Sequence, residues 1–232
     1  MQMPSYSAAN APAFTLYGDG TLIFRDTMAD PPPVIGSVTR LHPFRTAKMN
    51  EDQIQALLAF AIGEGGLGAA RAEYLDMLVS DATTSVFTLN AGGASKAVSV
   101  YALGHEQDGM ADLLARKTLA KLRDRLLDID QGGSVTTDVY APERYRAYLF
   151  EGQPGAPDLK AWPWPGVKPS EFVAAGDPNA FPMPVRIMAA AEIEALGIEP
   201  FQGGFIGLPL AGPGDGKPYT LTVRPLLPDE AT

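Results

Sequence analysis

Twice along this chain a β-hairpin pattern is followed by an amphipathic helical pattern, and that order constrains the fold more than any chemical motif does. The first hairpin runs from Phe14 to Phe24 around Gly18-Asp19-Gly20, and its helix from Glu51 to Ile62. The second pairs Ser85–Leu89 with Ala97–Leu103 across Gly92-Gly93, and its helix covers Ala111 to Ile129. Strands, helix, strands, helix is the order of an α+β domain, with helices on one face of a mostly antiparallel sheet. The expected fold is therefore α+β in a ββαββα-like order, with an irregular Pro/Gly-rich C-terminal part. Three segments are expected: a flexible stretch over 1–13, an α+β domain over 14–151, and an extension over 152–232 packed on that domain.

Local signals support the individual elements. Asp19-Gly20 is a type I′ turn dipeptide flanked by β-formers. Asp30-Pro31-Pro32-Pro33 cannot supply ladder donors at its prolines and is read as a polyproline connection. A strand is expected between Gly36 and Phe44. Asn50 with Gln53 forms a cap arrangement, and Ile54, Leu57, Leu58, Ala61 and Ile62 follow a helical stripe. A short helix is expected over Ala69–Leu75. On the long helix, Ala115, Leu119, Leu122, Leu126 and Ile129 make one apolar seam. Its other side carries Arg116, Lys117, Lys121, Arg123, Asp124 and Arg125, read as a solvated face. Further on, Tyr145–Phe150 and Tyr219–Val223 are strands, and Ala189–Leu196 is a short helix ended by Gly197.

Composition bounds the function classes. A net charge of −9 and a pI near 4.7 argue against general nucleic-acid binding, which needs clustered Lys and Arg. The chain has no cysteine, so thiol catalysis, Cys-based zinc sites and disulfides are excluded together. No stretch approaches the roughly 18–20 apolar residues of a membrane span. Residues Met1 to Pro12 lack a charged n-region and an apolar h-region, so a signal or anchor segment, if the protein has one, is expected to have preceded this chain.

Four features are candidates for chemistry. Asp128-Ile129-Asp130-Gln131-Gly132-Gly133-Ser134-Val135 partly matches a calcium loop, with aspartates at positions one and three and glycine at six. Position twelve is Val139 in place of the bidentate Glu, so the segment is read as a helix end with solvated aspartates, and calcium through Asp128 and Asp130 is the alternative. His42 and His105 lie far apart, and no nucleophile motif accompanies either. Acid pairs such as Glu192 with Glu194, or Asp76 with Asp81, need the fold to bring them together before they do acid–base work. Trp162-Pro163-Trp164-Pro165 is the most distinctive short segment. Its prolines hold it extended and let both indoles present stacking surfaces to a sugar or a partner, while the high average burial of Trp argues that at least one ring covers the core.

Leu16-Tyr17-Gly18-Asp19-Gly20, Asp81-Ala82-Thr83-Thr84, Ser99-Val100-Tyr101-Ala102-Leu103-Gly104, Trp162-Pro163-Trp164-Pro165 and Arg224-Pro225-Leu226-Leu227-Pro228-Asp229-Glu230 together resemble a group of uncharacterised bacterial exported or lipid-anchored proteins. The resemblance implies an extracytoplasmic protein, secreted or on a lipid anchor, and lends no catalytic residues. The expected function is a non-catalytic binding or interaction module for a protein or an envelope component, using surfaces around Trp162 and Trp164. A hydrolase acting on a glycan or ester, and a calcium-stabilised structural domain, are the alternatives.

Overall fold

A computed structural model describes residues 8–27, 30, 32–75, 79–130, 135–153, 155, 158–175, 183–199 and 201–230. In chain order the first elements are β1 (Phe14–Leu16), β2 (Thr21–Arg25), β3 (Thr39–Arg40), β4 (Phe44–Lys48), α1 (Glu51–Ile62), β5 (Glu73–Tyr74), β6 (Thr84–Ala91), β7 (Ala94–Tyr101) and α2 (Leu113–Leu127). They are followed by β8 (Asp138–Val139), β9 (Arg144–Glu151), β10 (Lys160–Ala161), β11 (Val173–Ala175), β12 (Met183–Ala189), α3 (Ala190–Glu194), β13 (Phe205–Ala211) and β14 (Pro218–Pro225). The chain is mixed α+β with mostly antiparallel strand pairs, as expected; β5–β7 and β10–β13 are parallel. It divides into two compact units. Unit 1 takes in Phe14–Leu22 and Ala47–Thr137, and unit 2 takes in Ile23–Thr46 and Asp138–Thr232. Residues 138–151 thus go with 152–232 and not with the second hairpin.

Unit 1 shows how far local sequence reaches. Tyr17 donates its N–H to the Thr21 carbonyl at 2.8 Å, and the Asp19 carboxylate accepts the Thr21 N–H at 2.9 Å, closing the first turn. In the second hairpin β6 pairs with β7 from Thr84↔Tyr101 to Ala91↔Ala94. Gly92 and Gly93 bridge them at φ +59° and +79°, the positive pair that a type I′ turn requires. The Asn50 side chain accepts the Gln53 N–H and the Gln53 side chain accepts the Asn50 N–H, both at 2.9 Å, so the expected capping box starts α1. Where a helix was expected over Ala69–Leu75, two residues form β5 and pair with Ser99 and Val100 of β7. Tyr74 is buried there against Val98, Val100, Leu119 and Leu122, and that packing outweighs helix propensity.

The long helix needs one correction. Leu119 and Leu122 are buried as the seam requires, but Arg116, assigned to the solvated face, is fully buried. Its Nη1 donates to the Tyr101 carbonyl at 2.7 Å, and Arg123 Nη1 donates to the Leu103 carbonyl at 3.0 Å. Two guanidinium groups thereby satisfy the turn that leaves β7.

Unit 2 is built on a larger sheet in the order β10-β13-β14-β9-β12-β11, with β3 also pairing with β13. Its core packs Tyr145, Ala147 and Leu149 of β9 with Leu221 and Val223 of β14, Phe205, Leu208 and Leu210 of β13, and Ile193 of α3. The strand expected between Gly36 and Phe44 is confined to β3, and β4 starts at Phe44 and pairs with β8. No helix among the described residues is long and apolar enough to cross a membrane.

Candidate functional site

The apolar residues of α1 are buried to different depths, and Phe60 packs against the core of unit 1 from a half-buried position. Only Ala61 is buried, while Leu57 and Phe60 remain half-buried. Gln53, Ala56, Leu57 and Phe60 follow i, i+3, i+4, i+7 spacing and so share one face. That face lines a groove of about 230 Å³, whose remaining walls are Met49, Arg125 near the C-terminal end of α2, Ile129 and Val135. The walls are predominantly apolar, and Gln53 and the exposed Arg125 supply the polar groups. Lys121 stands 5.8 Å from the Phe60 ring centre and 3.6 Å from Glu64, which adds charge along the same stretch of α2. Leu57 was legible in the sequence as part of the apolar stripe of α1, while Phe60, which packs with one side against the core of unit 1, was not marked by it.

The tryptophan segment is placed as the high average burial of Trp argued, with one ring covering the core. Trp164 is 5% exposed and belongs to the core of unit 2, with its indole N–H donated to the Glu192 carbonyl at 2.7 Å. Trp162 is half-buried and donates to the Val167 carbonyl at 2.8 Å. The two rings meet edge to face at 5.2 Å, and Trp162 also meets Phe172 and Tyr219 at 6.4 and 6.2 Å. Buried indoles with satisfied N–H groups in an edge-to-face cluster are packing elements. Trp164 therefore has no face to offer a ligand, which corrects the stacking-surface expectation for that ring.

The other candidates are not brought together. Asp128 is the C-cap of α2, its N–H donated to the Asp124 carbonyl at 3.0 Å. Asp130 follows two residues later, and Gln131–Ser134 lie outside the described residues, as does Asp76. Among the described residues no three His, Cys, Asp or Glu side chains group in a way that holds a metal ion. Glu192 is engaged twice, by Arg186 Nη1 at 2.7 Å and by the Ala189 N–H at 2.8 Å, while Glu194 is exposed. His42 lies in unit 2 with its Nδ1 buried and without a hydrogen-bond partner; His105 is an exposed residue of unit 1. No known protein family, curated protein or solved structure matches the chain.

Proposed function

We propose that the protein is a non-catalytic binding module whose contact site is the groove beside α1 in unit 1, and that its partner is a protein. The observation that carries this reading is the size and lining of the groove. Sites for small-molecule substrates enclose about 300–1,000 Å³, whereas a cavity of about 150 Å³ already accepts a benzene ring. At about 230 Å³ the groove suits one bulky aromatic or aliphatic side chain. Single anchors of that kind dominate the energetics of protein interfaces. Arg125, exposed at the groove, favours an anchor flanked by a carboxylate. The proposal sets the protein outside the cytoplasm, supported by the resemblance of the segments from Leu16 to Glu230 to exported bacterial proteins.

A peptide-display selection on the folded protein tests this. Peptides with an aromatic or large aliphatic residue beside Asp or Glu should be enriched, and should lose at least tenfold in affinity for Leu57→Asp with the unfolding temperature nearly unchanged. Enrichment that survives Leu57→Asp overturns the site. Hydrolysis of ester or glycosidic substrates that is lost in His42→Ala overturns the non-catalytic reading.

A further inference from the structure

One face of the unit 2 sheet sets two arginines against each other. Side chains alternate across a strand, and Ala147, Leu149, Leu221 and Val223 point into the core. Arg146, Tyr148, Thr222 and Arg224 therefore share the opposite face. The register sets them in a square, with Thr222 opposite Tyr148 and Arg224 opposite Arg146. Like charges directly opposite one another on adjacent strands destabilise a sheet, so an anion is needed between the two guanidinium groups.

Glu230, on the 3-10 turn Pro228–Glu230, supplies one. It grips Arg224 in a two-pronged fork, Oε2 at 2.7 Å from Nη1 and Oε1 at 2.5 Å from Nη2, and its Oε1 lies 3.6 Å from Arg146 Nη1. The Leu227 N–H also donates to Oε2 at 3.2 Å. A third guanidinium, Arg25, is held by the His42 carbonyl at 2.6 Å and lies 4.2 Å above the Phe44 ring. Burial, and then the charge of Arg224, pull Arg25 down to about 10. Close backbone approach sets this arrangement: a Cβ at Gly203 would collide with the Leu41 and His42 carbonyls, and one at Gly204 with the Val223 carbonyl. One carboxylate thus grips Arg224 and approaches Arg146, and Arg25 stands close enough to Arg224 to feel its charge. Donors remain as well: Arg224 Nε and the fully buried Thr222 Oγ1 have no hydrogen-bond partner. The side chains of Arg146 and Glu230 are 30% and 21% exposed, so the cluster reaches the surface along that edge.

We propose that this face of unit 2 is a binding site for a phosphate-type oxyanion, and that Glu230 is an internal carboxylate that occupies the site until such an anion displaces it. A dianionic tetrahedral group matches the opposed Arg146 and Arg224 guanidiniums better than a single carboxylate, and offers acceptors for Arg224 Nε and the Thr222 hydroxyl. The site is separate from the groove in unit 1 and stands whether or not that groove binds a protein.

The test measures unfolding temperature and heat of binding with inorganic phosphate, with glycerol phosphate, and with chloride and acetate at matched ionic strength. Wild type should bind phosphate weakly, Glu230→Gln at least tenfold more tightly, and Arg146→Gln not at all. Preference for glycerol phosphate over inorganic phosphate assigns the group to a phosphoryl ester, and the reverse to the free ion. Equal effects of chloride and phosphate, or no gain in a folded Glu230→Gln, overturn the proposal. If Glu230→Gln does not fold even with phosphate, the decision rests on wild type against Arg146→Gln: a phosphate-dependent rise that persists without Arg146 overturns the site, and its loss supports it.

Discussion

The two units put their apolar residues to opposite use. Among the described residues, sixteen buried side chains form the cluster at the centre of unit 2 and eight form that of unit 1. In unit 2 even a Pro-flanked tryptophan pair is drawn inward, and Arg146 and Arg224 stand opposite each other on the other face of the sheet. In unit 1 the helix α1 buries one residue and leaves Leu57 and Phe60 lining an open groove. Both are α+β packings of ordinary composition, so the difference lies in what stays outside the core. Apolar surface left open is what an interaction face needs, and arginines set against each other are what an anion site needs.

Substitutions can break or sharpen this contrast. The largest effect is expected for Trp164→Ala, which empties a core position of unit 2 and forfeits the bond to the Glu192 carbonyl; urea unfolding should show a loss of about 3–5 kcal/mol. Leu122→Ala in the smaller core of unit 1 should lose about 2–5 kcal/mol by the same measurement. A loss below about 1 kcal/mol there would mean that unit 1 is too loosely packed to hold a shaped groove.

Leu57→Ala should stand apart from both. As a half-buried groove residue it should change stability by about 1 kcal/mol or less, because little of its apolar area is removed from water on folding. Asn50→Ala should cost about 1 kcal/mol, since it removes one half of the box that starts a helix with a single buried residue. Helix content by circular dichroism separates fraying of α1 from global loss.

The smallest effect concerns pH at the first hairpin. The Thr21 N–H, then Lys48 and the Thr21 hydroxyl, hold Asp19 down to about 2 from a usual value of 3.8. A depressed folded value means that the stabilisation is complete above the unfolded value and is lost as pH falls from about 4 through about 2. Lys48 lies 3.1 Å from this carboxylate with both side chains well exposed, so Lys48→Met should raise the Asp19 value in a carboxyl NMR titration while barely changing stability. An unchanged Asp19 would show that the Thr21 N–H and hydroxyl set it without Lys48.

What was legible in the sequence is what is decided within a few residues. The Gly92-Gly93 turn, the Asn50–Gln53 box and the Leu119–Leu122 seam each depend on local spacing, and each is found where the pattern placed it. The parallel pairings of β5 and β10 were not legible, because each strand is two residues long and takes its partner from far along the chain. Arg116 looked solvated because its neighbours on α2 are charged; its burial depends on a carbonyl at Tyr101 that only the tertiary fold presents. The tryptophans were conspicuous for their chemistry, yet what decided their place was two backbone acceptors, at Val167 and Glu192, that no local pattern marks. The groove was half legible: Leu57 was read on the apolar stripe of α1, but neither Phe60 nor the facing wall at Arg125, Ile129 and Val135 is marked by a local pattern.

The most direct test of the central claim is a methyl and indole NMR titration of the full chain with N-acetylphenylalanine, a probe that joins one aromatic ring to one carboxylate. The account expects saturable shifts at Leu57, Ile129 and Val135, with the Trp164 indole N–H unmoved and the Ile129 and Val135 responses lost in Leu57→Asp. Shifts centred on Trp162 and Trp164 with the groove methyls silent would contradict it and return binding to the tryptophan segment.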